Sequence, residues 1–282
     1  MGKRLAPLVI LAVLVSVIIL TGCNMSGSEK VSAITLISSK DGIENCCKES
    51  VCEGLNRLKD DYEISFTVVE CEMPDLSNAI DNACKESDVV IVAGFKSSYI
   101  ADTLDNYRKI KFVFVDSTVN NISDFPNTLC ITYAEWESAF LAGYLAANIT
   151  EDFVVGVDST LGSDICRGFE KGVKFANNGA RVMPGINKSV LFISPGVLKL
   201  DGQIICSVKA DMGQSLYDIM TLLIKDGIWN GGEIWEADMS SGYLSLEYNS
   251  DLAKELIPET LQEEIERISS QIISGEIKVE TT

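Results

Sequence analysis

The sequence predicts an α/β protein built on a doubly wound parallel sheet. Three observations carry this. From residue 31 to residue 157, short apolar runs alternate with stretches of helical periodicity, the pattern of repeated βα units. Residues 88–93, DVVIVA, are apolar without alternation, as a strand must be when helices cover both faces of its sheet. And these runs end in small or acidic residues, Gly94-Phe95 and Asp116-Ser117 among them, where such sheets turn towards their ligands.

Taken in order, residues 31–38 (VSAITLIS) form the first strand and 46–58 a helix with Val51, Leu55 and Leu58 on one face. The second strand covers 64–70. Pro74-Asp75 is a start signal for a helix over 76–85. The strand 88–93 leads to a helix over 97–107, and KFVFV at 111–115 is the fourth strand. A fifth strand at 129–133 feeds directly into a helix whose first turn carries Glu135 and Glu137, where the helix dipole favours carboxylates. Small residues recur along it at Ala139, Ala142, Gly143 and Ala146, a face that lets another backbone come close and that an ordinary buried helix would also show. This stretch reads as the handover from one lobe to the next. The second region opens with a strand at 153–157 and a helix at 163–177, then thins: strands at 190–193 and 204–208, a helix at 214–225, short strands at 233–238 and 243–247 in a possible hairpin, and an acidic amphipathic helix at 258–273.

The N-terminus gives an address. Lys3 and Arg4 precede an apolar run that ends in Leu20-Thr21-Gly22-Cys23, too short and too sharply terminated for a spanning helix. Leu-Thr-Gly-Cys resembles a bacterial lipobox, which makes 1–22 a lipoprotein signal peptide, Cys23 the acylated N-terminus and 23–30 a tether; a plain signal peptide or an uncleaved anchor are the other readings. The expected location is the extracytoplasmic face of the cell membrane, held by lipid. The chain carries a net charge of −18, and the leader removes two of its cations, so nothing electrostatic favours nucleic acid. The cysteines match no disulfide framework, and Cys71, Cys130 and Cys206 lie in apolar strands where a thiol is a small hydrophobe. Free thiols in an exported protein fit a reducing or anaerobic habitat.

Ligands of an open α/β sheet bind beyond the carboxyl ends of its strands. Those ends collect Ser38 to Asp41, Gly94, Phe95, Asp116 and, in the second region, Asp158-Ser159: an aromatic ring to stack on and acceptors for hydroxyl or amino groups. Any one of these Asp residues could instead merely cap the next helix. With no histidine and no GxSxG, Walker A or GxGxxG motif, the sequence points away from an enzyme, and it calls for no metal and no cofactor.

Four passages resemble the basic membrane protein family of bacterial nucleoside-binding lipoproteins that serve ABC transporters: Ile131 to Tyr133 with Glu135, Glu137, Phe140-Leu141 and Gly143 to Ala147; Gly168-Phe169 with Gly172 to Lys174; Val208-Lys209 with Tyr217-Asp218 and Gly231-Gly232; and Ile272 to Val279. The resemblance implies a type I periplasmic-binding-protein-like fold, two doubly wound parallel-sheet lobes joined by a hinge. Lobe 1 would hold 31–133 with part of 207–232; a reduced lobe 2 and closing segment would hold 134–206 and 233–282. It implies a nucleoside or purine-like solute bound by Asp41, Gly94, Phe95, Asp116 and Lys209, with Phe95 stacking on the base, and a membrane permease as partner. Two departures stand out. Cys47 and Lys48 occupy the positions where the family has Phe-Asn, and the family's later Gly-Val-Asp-Ser-Asp motif has no counterpart near 190–196; Gly156 to Ser159 has similar letters on a different strand. The rival reading is an interaction or sensor lipoprotein that keeps the scaffold without the pocket.

If Cys23 is the lipidation site, Cys23→Ala should abolish palmitate labelling and move any processed protein out of the membrane fraction; labelling that persists in the variant sinks the assignment.

Overall fold

The computed structural model describes residues 31–40, 45–95, 100–150, 154–157, 162–184 and 206–280. Its centre is a six-stranded, wholly parallel sheet. The strands are β1 (Ala33–Ser39), β2 (Ser65–Cys71), β3 (Val89–Ala93), β4 (Lys111–Val115), β5 (Thr128–Tyr133) and β9 (Glu233–Ala237), in the order β2-β1-β3-β4-β5-β9. Helices α1 (Asn45–Asp61), α2 (Leu76–Ala83) and α3 (Ala101–Asn106) connect the first strands. The start of the third predicted helix, at 97, lies outside the described residues, which resume at Ile100.

The sheet is doubly wound because its strands alternate between two apolar layers. Ile34, Leu36, Val89, Ile91, Val113, Val115 and Ile131 face one core with Val51, Leu55 and Leu58 of α1. Ile37, Val90, Val92, Phe112, Phe114 and Cys130 face the other with Leu76 and Ile80 of α2. A period-2 side-chain alternation in a strand buried on both sides yields this split directly.

Beyond β5 the chain enters α4 (Glu135–Ile149), followed by β6 (Val154–Val157), α5 (Ser163–Ala176) and β7 (Arg181–Pro184). Strands β6 and β7 pair in parallel. Then come β8 (Cys206–Ala210), α6 (Met212–Thr221), the strand β9, β10 (Leu244–Tyr248), α7 (Ser250–Leu256) and α8 (Glu259–Ile273). Strand β7 and helix α7 are findings that the sequence pattern did not suggest. The strand expected at 190–193 lies outside the described residues, as do the leader and tether with Cys23. Helix α6 starts on Asp211, whose side chain accepts from the Gln214 N–H at 3.0 Å, and closes in a π-helical turn, Leu222–Asp226.

One expectation is corrected. The strands near 233 and 243 form no hairpin. Strand β9 pairs in parallel with β5, Ala237 beside Tyr133, while β10 pairs antiparallel with β8. As an edge strand β9 is mostly exposed and reads like one arm of a surface hairpin; its real partner is a hundred residues earlier.

Helices α4 and α5 meet backbone to backbone. A Cβ on Gly143 would collide with the Phe169 carbonyl, and one on Gly172 with the Phe140 carbonyl. Phe175 caps this seam, its ring 5.3 Å from that of Phe140. Gly54 of α1 and Gly213 at the start of α6 make a second such contact. Phe95 is a further correction. It was expected to turn its ring to a cleft, yet it is 5% exposed and packs in the core layer of Val92 and Phe114. The cause is Gly94, whose φ of +76° breaks the strand's alternation and swings the next side chain to the other face.

Two outcomes follow. Gly172→Ala should destabilise the protein by about 1–3 kcal/mol in denaturant unfolding, the usual cost of forcing atoms into a packed seam, whereas Gly162→Ala, which meets nothing within 4 Å, should be near neutral. Phe95→Ala should cost about 3–5 kcal/mol of stability, as for a truncated core aromatic; a stability loss under 1 kcal/mol would return Phe95 to the surface.

Candidate functional site

The carboxyl ends of β1, β3, β4, β5 and β9 lie along one rim of the parallel sheet. At β1 the rim holds Ser38, whose buried hydroxyl has no hydrogen-bond partner. At β3 it holds Gly94, and Phe95, whose carbonyl accepts from the Ser117 hydroxyl at 2.7 Å. That bond ties the end of β3 to the end of β4. Asp116 stands at the end of β4. Its N–H donates to the Ile131 carbonyl at 2.9 Å, and its backbone is left-handed, φ +55°. Few non-glycine residues adopt this conformation, though Asp tolerates it better than most.

Asp116 is exposed to solvent, yet protein walls it closely enough that desolvation raises its carboxyl above the ordinary range. Beside it, at the end of β5, Tyr133 is 5% exposed. Its hydroxyl lies 2.7 Å from the Ser215 hydroxyl, which is itself 3.0 Å from the Met212 carbonyl. Ser215 has one proton and gives it to Met212, so Tyr133 donates to Ser215. The chain clamps β5 to α6.

Two residues further on comes Glu135. The sequence suggested only a helix-dipole role for it. The structure buries it and leaves its Oε1 without a hydrogen bond. Burial, and then the charge of Asp116, push its carboxyl up to about 8. Glu137 has the role expected of a first-turn carboxylate, but towards another element: its Oε2 accepts from the Met239 N–H at 2.8 Å. Nothing in the sequence announces the Asp116–Glu135 neighbourhood, because it is made by the register of β4 against β5.

Of the predicted site residues, the fold brings together Gly94, Phe95 and Asp116, with the Phe95 ring in the core beneath the rim. Lys209 stands elsewhere, on β8, half-buried and paired with Ser245 of β10. Asp41 lies outside the described residues, and so does Asp158. Where relatives were expected to carry an aromatic, Cys47 is buried and Lys48 makes an ion pair with Glu70 at the end of β2, 2.5 Å long. Among the described residues no group of three or more His, Cys, Asp or Glu side chains could hold a metal ion.

Known proteins agree with this architecture. In solved structures, the fold is shared with an ABC transporter system solute-binding protein from Aeropyrum pernix K1, at a TM-score of 0.72 and 15% identity, covering 89% of this chain and 94% of that one. The chain is 22% identical to "Basic membrane protein A1" of Borrelia garinii subsp. bavariensis, across 96% of its own length and 95% of the relative's. That alignment spans 327 positions, more than the chain has residues, so the relative carries segments that are missing here. It is also 29% identical, over 61% of its length and 52% of the relative's, to the "ABC transporter nucleoside-binding protein BmpA" of Lactococcus lactis subsp. cremoris. The family model for Bmp, the PnrA-like ABC transporter substrate-binding proteins, matches residues 41–184. The chain therefore belongs to the Bmp family, and it is a substrate-binding protein of the ABC transporter type with a type I periplasmic-binding-protein-like fold.

Proposed function

We propose that this substrate-binding protein is lipid-anchored through Cys23 on the extracytoplasmic side and captures a nucleoside or related purine-like solute for a membrane permease. The observation that carries the reading is Asp116, an acceptor held in a left-handed conformation and open to solvent at the strand-end rim. Gly94 next to it presents bare backbone, which lets a flat solute come close. Phe95 serves as the apolar floor below the site. Asp41 and Lys209 would reach the solute from the loop after β1 and from β8, and closing the two lobes would exclude water from it. Among the described residues no helix is long and apolar enough to cross a membrane, which is compatible with attachment by lipid.

The nucleoside is favoured by the name of the Lactococcus lactis relative. A scaffold that had lost its pocket would seal the strand ends with apolar side chains. The open Asp116 beside a buried Glu135, whose Oε1 has no hydrogen-bond partner among the described residues, favours binding instead.

A thermal-shift screen of nucleosides, sugars and amino acids tests the reading. A nucleoside at 100 times its dissociation constant should add about 2.7 kcal/mol of stability. Asp116→Asn should raise that dissociation constant by about tenfold or more, as for a lost charge-assisted hydrogen bond. A shift with sugars alone, or nucleoside binding indifferent to Asp116→Asn, would overturn it.

A further inference from the structure

Glu135 sits where a carboxylate is costly. The residue is 8% exposed, and Oε1 has no hydrogen-bond partner among the described residues. Among the described residues, the groups around it are Asp116 from the end of β4, Tyr133 from β5 with its hydroxyl already given to Ser215 of α6, and Cys47 of α1, which acts on Tyr133. Glu137, one turn edge away on α4, is engaged by the Met239 N–H. Asp116 is the charged group that acts on Glu135, and no described lysine or arginine does. Two neighbouring carboxyls with no described cation acting on them ionise one after the other, the second against the charge of the first. Asp116 reaches water and ionises first; Glu135 would have to ionise in a dry place beside a charge already there.

We infer that Glu135 serves the binding site as an uncharged carboxylic acid beside an ionised Asp116, so that the pair offers a neutral solute one hydrogen-bond donor and one acceptor. This rests on the solute-binding reading and sharpens it. A nucleobase edge with a donor next to an acceptor, such as the amino and ring-nitrogen edge of adenine or the amide edge of hypoxanthine, complements that pair. An anionic solute meets the charge of Asp116. Loss of the Glu135 proton removes the donor and sets two negative charges side by side.

The test has two arms on the full processed chain. In the first, adenosine and inosine are titrated calorimetrically at about pH 6.5 and about pH 9, on either side of the Glu135 transition. Wild-type affinity should fall about tenfold or more at the higher pH. Glu135→Gln keeps the shape and a donor, and should bind equally at both; Glu135→Ala should bind weakly at both. Wild-type affinity that ignores pH, or a Glu135→Gln loss as large as that of Glu135→Ala, overturns the proposal. Adenosine 5′-phosphate bound as tightly as adenosine overturns the neutral-solute class.

The second arm needs no ligand. Folded Glu135 holds its proton more tightly than the unfolded chain does, so the folded state binds more protons between the two titrations. Wild-type melting temperature should therefore drop relative to Glu135→Gln as pH rises from about 4.5 towards about 8, with a constant gap above that. Parallel curves overturn the protonated acid even if nucleosides bind. An opening gap with no nucleoside bound at any pH supports the acid and overturns the nucleoside reading, so the two failures are told apart.

Discussion

The close approach of α4 and α5 is the constraint on which the rest of the structure depends. Helix α4 leaves β5 with one residue between them, so its first turn is fixed by the central sheet. Its middle is fixed by glycine contact with α5, where no side chain stands between the two backbones. A helix held at both places has little freedom to tilt. It carries the sheet's geometry into the second half of the chain, and β8, β10 and α8 pack against the same helix. The cost is specificity of sequence: at Gly143 and Gly172 even a methyl group displaces main chain, which cannot yield as a side-chain tip can.

That rigidity also positions charge. Glu135 lies at the base of α4, and its place beside Asp116 follows from how the helix leaves the strand. The rim there is acidic in a protein of net charge −18, and the Tyr133–Ser215–Met212 hydrogen-bond chain braces it by tying β5 to α6. Few described groups there can compensate a negative charge, so the proposed site would favour neutral or cationic solutes over anions. The family match places the chain among substrate-binding proteins, and the electrostatics narrow what such a protein could hold.

Most of the central sheet was legible because its strands are continuous apolar runs and its helices have clear starts. What escaped was set by single residues or by distant pairing. Phe95 follows a run whose parity sends Val90 and Val92 to one layer and Ile91 to the other; one left-handed glycine reverses the parity, and composition cannot reveal that φ. Strand β9 is mostly exposed, as a surface strand would be, and its partner β5 lies about a hundred residues earlier in the chain, beyond the reach of local pattern. Glu135 looked like an ordinary first-turn carboxylate because helix-dipole reasoning is local. Its real neighbour is set by strand register. The place of Asp116 at the strand-end rim was legible, since it follows directly on a continuous apolar strand of an open sheet.

The buried thiols carry a consequence for life outside the membrane. Burial pushes Cys84 and Cys206 up to about 12 and Cys130 up to about 11. Oxidants and disulfides react with the thiolate, and a thiol at about 12 presents it in roughly one molecule per hundred thousand at neutral pH. Such cysteines are shielded from exchange chemistry by the fold itself and need no reducing surroundings to survive. Oxidants would reach them only while the chain is unfolded, which makes the interval before folding, not the folded lifetime, the moment of risk.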